Sequence, residues 1–333
     1  MSFEVQDVER KMLAILKVLE SFQKPTGARV IAQNMASYGV TLGERAVRYH
    51  LRLMDERGLT ELVGNQDGRI ITPKGLAEIR NALVKDKVGF AISRIEMLAC
   101  RTQFDHRARR GVIPMNISVF PEEKFNKALQ AMKPAFDAGL CVSDLVAVAK
   151  EGERLGDILI PAGKVGLATV CSIVLNGTLL KAGVPMNSRF GGLLQMRNGK
   201  PLRFVELIGY AGCSLDPSEI FIRAKMTSVG EVARSGDGTI LANFREIPSV
   251  CRASAEEIVS ELNKAGLKAL LVMADTGAPV CEVPVEFDKI GMVLLGGLNP
   301  VAAAEEAGIL AENHAMSTLM EYGGLTRFQE LLK

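Results

Sequence analysis

Apolar residues recur at helical spacing from the start of the chain. Val8, Met12, Ile15, Leu16 and Leu19 share one stripe, which predicts a helix over 8–22 that Pro25 stops. Thr26 is placed to cap a second short helix with Ile31 and Met35 facing inward, and Gly39 to turn the chain into a third. That third helix is the most telling segment. The run GERAVRYHLRLMDERGL from Gly43 puts Val47, Leu51 and Met54 on one face. Arg45, Arg48, Tyr49 and Arg52 fall on the other, at spacings of three and four. Leu59–Val63 then reads as a strand, Gly64, Asn65, Asp67 and Gly68 as a turn, and Arg69–Thr72 as the return strand. Thr72 and Pro73 have the order of an N-cap and a first helical residue, opening a fourth helix that ends near Leu83. Helix, hairpin and helix, with cations on the exposed helix face and Arg69 near the hairpin tip, form a winged helix-turn-helix pattern. Planar guanidinium forks on such a helix reach guanine edges or phosphates in a major groove.

The rest of the chain predicts a different architecture. Lys85–Lys87 reads as a charged hinge, Ile92–Phe104 as an amphipathic segment and Arg107–Gly111 as a basic turn. Two diverged copies of one unit follow, at about 115–212 and 240–324. Each opens on a strand, NISVF from Asn116 and ILANF from Ile240, and continues into a helix ending in Ala-Gly at 138–139 or 265–266. An apolar strand, a variable connection and a second apolar strand beginning Val165-Gly166 or Ile290-Gly291 come next. A helix closing in Ala-Gly follows, and Gly166 to Gly183 spans 17 residues, as Gly291 to Gly308 does. Both units end in Tyr-x-Gly, at 210–212 and 322–324. Strand–helix–strand–strand–helix suits a plait with helices on one face of a sheet. Between the units, Pro217–Val232 and Gly236–Phe244 read as extended segments suited to a sheet edge or a dimer interface.

Composition narrows the function. A chain of 333 residues with 48% hydrophobic content builds a substantial core beyond the first 80 residues. Its net charge of +2 argues against a general nucleic-acid coat. Residues 1–80 hold 12 Lys and Arg against 10 Asp and Glu, so nonspecific DNA affinity is weak without dimerisation. No apolar run reaches membrane-spanning length and no signal peptide is evident, so no membrane partner is expected. The six cysteines form no C-x-x-C pair, which predicts reduced thiols in a cytoplasmic protein and no metal site. The histidines at 50, 106 and 314 are far apart.

For a small molecule, the second unit offers Gly296, Gly297 and Asn299 ahead of Pro300 and a helix, where free backbone N–H groups favour an anion. The matching place in the first unit is Cys171–Gly177, with Cys171, Asn176 and Gly177 ahead of a helix through Leu180. Arg189 with Phe190, Gly191 and Gly192 is suited to clamping a carboxylate while the backbone approaches closely. The same Gly and Asn residues serve tight turns, and Arg189 serves equally as a structural ion pair. Asn243, Arg245 and Glu246, at a strand end before Pro248, suit an interface as well as a ligand. No P-loop, dinucleotide fingerprint or nucleophile–base pair is present, which argues against an enzyme.

Several runs resemble the NrpR family of nitrogen-regulatory repressors: SRFGGLLQM at 188–196, FVELIGYAGCSLDPSEIFI at 204–222, ILANFREIP at 240–248 and GGLNPVAAAEEAGI at 296–309. Segments 44–57 and 69–75 resemble the family's winged helix, with Gly43 where relatives often begin the helix on Ser. The resemblance implies a DNA-binding repressor with one regulatory domain of plait-like fold. It also implies control by 2-oxoglutarate as effector, with no cofactor. The expected protein is therefore α+β. Its winged helix-turn-helix covers 1–84, a linker and amphipathic segment 85–114, and a duplicated two-layer regulatory domain 115–333. It is expected to bind a two-fold double-stranded DNA operator as a homodimer. The rival reading is a ligand-binding or metabolic protein whose winged helix contacts another protein.

Overall fold

A computed structural model describes residues 3–22, 24–38, 40–64, 68–81 and 89–332. The first helix, α1 (Phe3–Phe22), buries Met12, Ile15, Leu16 and Leu19. Strand β1 (Thr26–Gly27), helix α2 (Ala28–Asn34), a 3-10 turn (Met35–Tyr38) and helix α3 (Glu44–Glu56) follow. Thr26 does not cap α2. It lies in β1 opposite Arg69, Gly27 takes the N-cap place, and the Thr26 hydroxyl donates to the Lys24 carbonyl. Strands β2 (Thr60–Leu62) and β3 (Gly68–Ile71) join β1 in the order β1-β3-β2. Helix α4 (Pro73–Asn81) opens as expected, with the Gly75 N–H donating to the Thr72 hydroxyl at 3.1 Å. Gly39, the turn residues Asn65 and Asp67, Leu83 and the hinge 85–87 lie outside the described residues.

Helix α5 (Phe90–Arg101) and strand β4 (Gln103–Asp105) belong with the second part of the molecule, because β4 pairs with the long strand β5 (Arg110–Pro121). Helix α6 (Glu122–Asp137), β6 (Leu145–Lys150), a small hairpin of β7 (Arg154–Leu155) and β8 (Ile158–Leu159), β9 (Lys164–Val170) and α7 (Ile173–Lys181) follow. Strands β10 (Asn187–Arg197) and β11 (Lys200–Gly209) lead into two short helices, α8 (Pro217–Arg223) and α9 (Val229–Ser235). The extended reading of Pro217–Val232 is thus corrected. Asp216 caps α8 by accepting from the Ser218 N–H at 2.8 Å, and Pro217 fills the first turn. The element order then repeats in β12 (Gly238–Pro248), α10 (Arg252–Lys264), β13 (Leu270–Met273), β14 (Lys289–Leu295), α11 (Asn299–Glu306) and β15 (Glu312–Glu321). Strand β16 (Thr326–Arg327) pairs with β6 near the end of the chain.

The two halves exchange strands. One sheet runs β15-β5-β9-β6-β16 and the other β11-β10-β12-β14-β13. Strand β10, late in the first half, pairs with β12 of the second; β15, late in the second, pairs with β5 of the first. Helix α6 packs on α11 and α7 on α10, so helices of opposite halves meet, and one apolar core runs from Phe104 to Phe328.

Local packing explains the repeated glycines. A Cβ on Gly166 would stand 2.4 Å from Ile160 Cδ1, and one on Gly291 2.7 Å from Val285 Cγ2. Each gap admits the apolar residues of the variable connection over the sheet. Pairing also corrects the alignment of the two opening strands. Val119 faces Gly166 and Glu246 faces Gly291, so Asn116 corresponds to Asn243, not to Ile240.

Asn299 is fully buried, and it does not cap α11. Its Oδ1 accepts from the Leu241 N–H at 2.8 Å and its Nδ2 donates to the Leu241 carbonyl at 3.1 Å, tying α11 to β12. Asn299→Ala should lower unfolding free energy by about 1–3 kcal/mol, the cost of stranding buried backbone groups, measured by urea denaturation.

Candidate effector site and DNA-recognition face

At the junction of the halves lies a half-open polar cavity of ≈ 20 Å³. That is room for about one water. Its walls come from both halves: Asn116 on β5, Ser172 at the amino end of α7, Asn243 and Arg245 on β12, and Met316 on β15. Tyr210 and the capping residue Asp216 also line it. Arg245 is 1% exposed. One terminal nitrogen donates to Asn176 Oδ1 and the other to Ser172 Oγ at 3.3 Å, while Nε has no partner. Arg245 forms no salt bridge among the described residues. Burial pulls its guanidinium pKa down, with Tyr210, Cys171 and Asp216 acting in the opposite direction. The other groups form a network. Tyr210 donates to Asn243 Oδ1, Asn243 Nδ2 donates to Ser172 Oγ at 3.2 Å, and Asn116 Oδ1 accepts from the Met316 N–H at 3.0 Å. Burial pushes the Cys171 thiol up to about 11, so it stands in the wall as a neutral group. A donor-rich cavity around a buried cation that has no salt bridge among the described residues is chemistry for a small anion.

The other candidate surface lies on α3. Val47, Leu51 and Met54 are buried, and Arg45, Arg48, Tyr49 and Arg52 are exposed along the opposite face. Arg48 pairs with Glu44 at 2.7 Å, one turn back. Arg69 differs from expectation: its Nε donates to Asp55 Oδ2 at 3.1 Å and its side chain is only 14% exposed, so it pins the wing to α3.

Comparison with known proteins places these features in a family. The model of the NrpR regulatory domains NRD1 and 2 matches residues 88–327, and that of the ribonuclease R winged-helix domain matches residues 13–79. The chain is 40% identical to the global nitrogen regulator NrpRI of Methanosarcina mazei, over 95% of this chain and 97% of that protein. The chain belongs to the NrpR family. Membership makes it a nitrogen-regulatory transcriptional regulator. It is also 31% identical to the global nitrogen regulator NrpR of Methanocaldococcus jannaschii over 97% of its length, and 30% identical to that of Methanococcus maripaludis over 94%. Against these two it spans only 56% and 54% of the relative. The crystal structure of a nitrogen repressor-like protein from Methanococcus jannaschii superposes with a TM-score of 0.61 at 26% identity, covering 72% of this chain and 98% of the other. No described helix is long and apolar enough to cross a membrane.

Within this NrpR regulatory domain the sequence-derived residues divide. Cys171 and Gly297 line the cavity, and Asn176 holds Arg245 from behind. Asn176 and Gly177 lie inside α7, not ahead of it, and Gly177 leaves room for Thr102, whose Cβ would stand 2.3 Å from an added methyl. Arg189 lies outside the cavity, paired with Glu246 at 2.7 Å and 46% exposed. Phe190 stacks on Phe244 in the core. Gly191 and Gly192 let Pro217 and Phe204 approach β10, and Gly296 does the same for Leu241. Sequence reasoning noticed Asn243 and Arg245 but left their role open, and missed Asn116, Ser172 and Tyr210. One signal was available: an arginine inside a strand otherwise destined for the core.

Glu219, on α8, accepts from the Ala315 N–H at 2.8 Å. Burial, with Asp216 nearby, raises its carboxyl from 4.5 to about 7, against the pull of His314 and Arg223. The folded protein therefore holds this proton more tightly than the unfolded chain. Its stabilising contribution is complete below the unfolded value of 4.5 and is lost as pH rises through about 7. Glu219→Gln should flatten the fall in urea midpoint across that window; an unchanged slope would remove Glu219 as its source.

Proposed function

We propose that the chain is a homodimeric repressor of nitrogen-assimilation genes that releases its operator when 2-oxoglutarate occupies the Arg245 cavity. The observation that carries the effector reading is Arg245, buried between two halves of the fold with an unpartnered Nε and no salt bridge among the described residues. A carboxylate supplies the missing charge and hydrogen bond together. Asn116, Asn243, Ser172 and Tyr210 offer the polar contacts that a 2-oxo acid requires beyond its first carboxylate. One ligand binds per chain, because the counterpart of Arg245 on β5 is Ser118, already donating to Asn313 Oδ1 at 2.7 Å.

In this reading Arg45, Arg48, Tyr49 and Arg52 enter the major groove of a two-fold operator. The Asp55 pair leaves Arg69 to hold the wing in place. Dimerisation offsets the small basic excess, since joining two heads makes the second contact intramolecular. As a switch, the effector must bind the released arrangement more tightly than the DNA-bound one.

Two measurements test the two ends. Titrating 2-oxoglutarate by calorimetry, against glutamate and succinate, should give selective saturable binding that Arg245→Met weakens about 100-fold, from loss of charge-assisted hydrogen bonds. Binding equally tight to the variant would remove the cavity as the site. In gel shifts, Arg45→Ala and Arg52→Ala should each weaken operator binding by about 1–3 kcal/mol with melting temperature unchanged. Unaltered retardation would reject α3 as the recognition helix.

A further inference from the structure

The cavity is too small for a dicarboxylate as it stands, so a wall must give way when one binds. The wall nearest the winged helix is an irregular stretch of β15. Pairing with β5 breaks between His314 and Thr318, and within that break Met316 has φ of 50°, a conformation rare for a residue with a side chain. The bulge is held from both sides. Inside the cavity, its Met316 N–H donates to Asn116 Oδ1. On the outside, Arg94 of α5 donates from Nε to the Met316 carbonyl at 2.7 Å and from a terminal nitrogen to the Ser317 carbonyl.

Arg94 faces the DNA-binding domain as well. Its guanidinium carbon lies 6.0 Å from the ring centre of Tyr38, in the turn between α2 and α3, and the Tyr38 hydroxyl donates to the Lys17 carbonyl of α1 at 3.4 Å. The helix carrying Arg94 packs Ala91, Ile95, Leu98 and Ala99 in one cluster with Cys171, Ile173, Tyr210 and Met316, all four of which line the cavity. At its start, Phe90 packs against the winged-helix core. One helix therefore touches both the cavity wall and the DNA-binding domain.

From this arrangement we infer that Arg94 is the positioning residue through which effector occupancy reaches the winged helix. The inference rests on the effector reading above. A 2-oxo acid that enters the cavity carries only acceptor oxygens, so it competes with Asn116 Oδ1 for the Met316 N–H and displaces the bulge. The two carbonyls then carry the Arg94 guanidinium away from Tyr38, and α3 shifts with the turn that Tyr38 ends. Arg94 touches neither effector nor DNA, so its removal should uncouple the two binding events and spare each.

The test uses the full chain with Arg94→Met and Arg94→Lys. Effector affinity is read by calorimetry and operator affinity by fluorescence anisotropy, without and with saturating 2-oxoglutarate. In Arg94→Met both separate affinities should stay within about 3-fold of the parent, while the effector-driven change in operator affinity shrinks about 10-fold. Arg94→Lys should recover part of it, because an ammonium still reaches one carbonyl. An Arg94→Met chain that binds 2-oxoglutarate and keeps the full parental change overturns the inference. Should the parent bind no 2-oxoglutarate, the effector reading fails, and a double-mutant cycle without ligand decides the relay. Asn116→Ala, which frees the inner side of the bulge, should alter operator affinity only while Arg94 is present. Additive effects overturn the relay.

Discussion

Neither half of the regulatory domain can complete its own sheet. Strand β10 leaves the first half to pair with β12, and β15 leaves the second to pair with β5, so one edge of each half's own sheet is covered by the other half. An open edge exposes a row of unpaired backbone groups, and exchange satisfies both edges at once. It also merges the two hydrophobic interiors into one core. The arrangement forces Asn116 and Asn243 to a shared junction, because each sits on the strand that receives the exchange. Everything polar in the cavity follows from that crossing.

A buried arginine at such a junction is costly unless it is paired. Asn176 and Ser172 satisfy its terminal nitrogens without neutralising its charge. Asp216 shares the cavity but turns one carboxyl oxygen to the cap of α8, and burial raises its pKa. The cation is thus oriented without a salt bridge among the described residues. That is the condition in which binding of an anion gains most, since the desolvation cost has already been met in folding.

The cavity and the winged helix meet through α5. Its apolar face adheres to the cavity wall, and its polar residue Arg94 grips a strained bulge while lying against the winged helix. Packed interfaces shift as units, which is the physical basis of the proposed relay. In the proposed dimer the small basic excess of each head makes affinity depend on the spacing of two heads.

Much of this was legible in the chain. Helical and strand periodicities placed α1, α3, the wing and both repeated units, and the runs at 188–196, 204–222, 240–248 and 296–309 carried the family, because local pattern and short motifs depend on neighbours in sequence. Local chemistry misled where the competing signals were also local: Thr26 entered a strand, Pro217–Val232 became helical behind Asp216, and Asn299 tied down Leu241. The glycines at 191, 192 and 296, which look like ligand contacts, make room for neighbouring chain. Arg69 turned inward to Asp55, and Arg189 turned to Glu246, since ion pairs are chosen by proximity in space. What the sequence by itself determined is the set of elements, the two-unit plan and the basic face of α3. Only the tertiary structure decided which half completes which sheet, and so brought Asn116, Ser172, Asn243 and Arg245 around one cavity. Pairing between strands distant in sequence depends on the competition among all available edges, which no local pattern encodes.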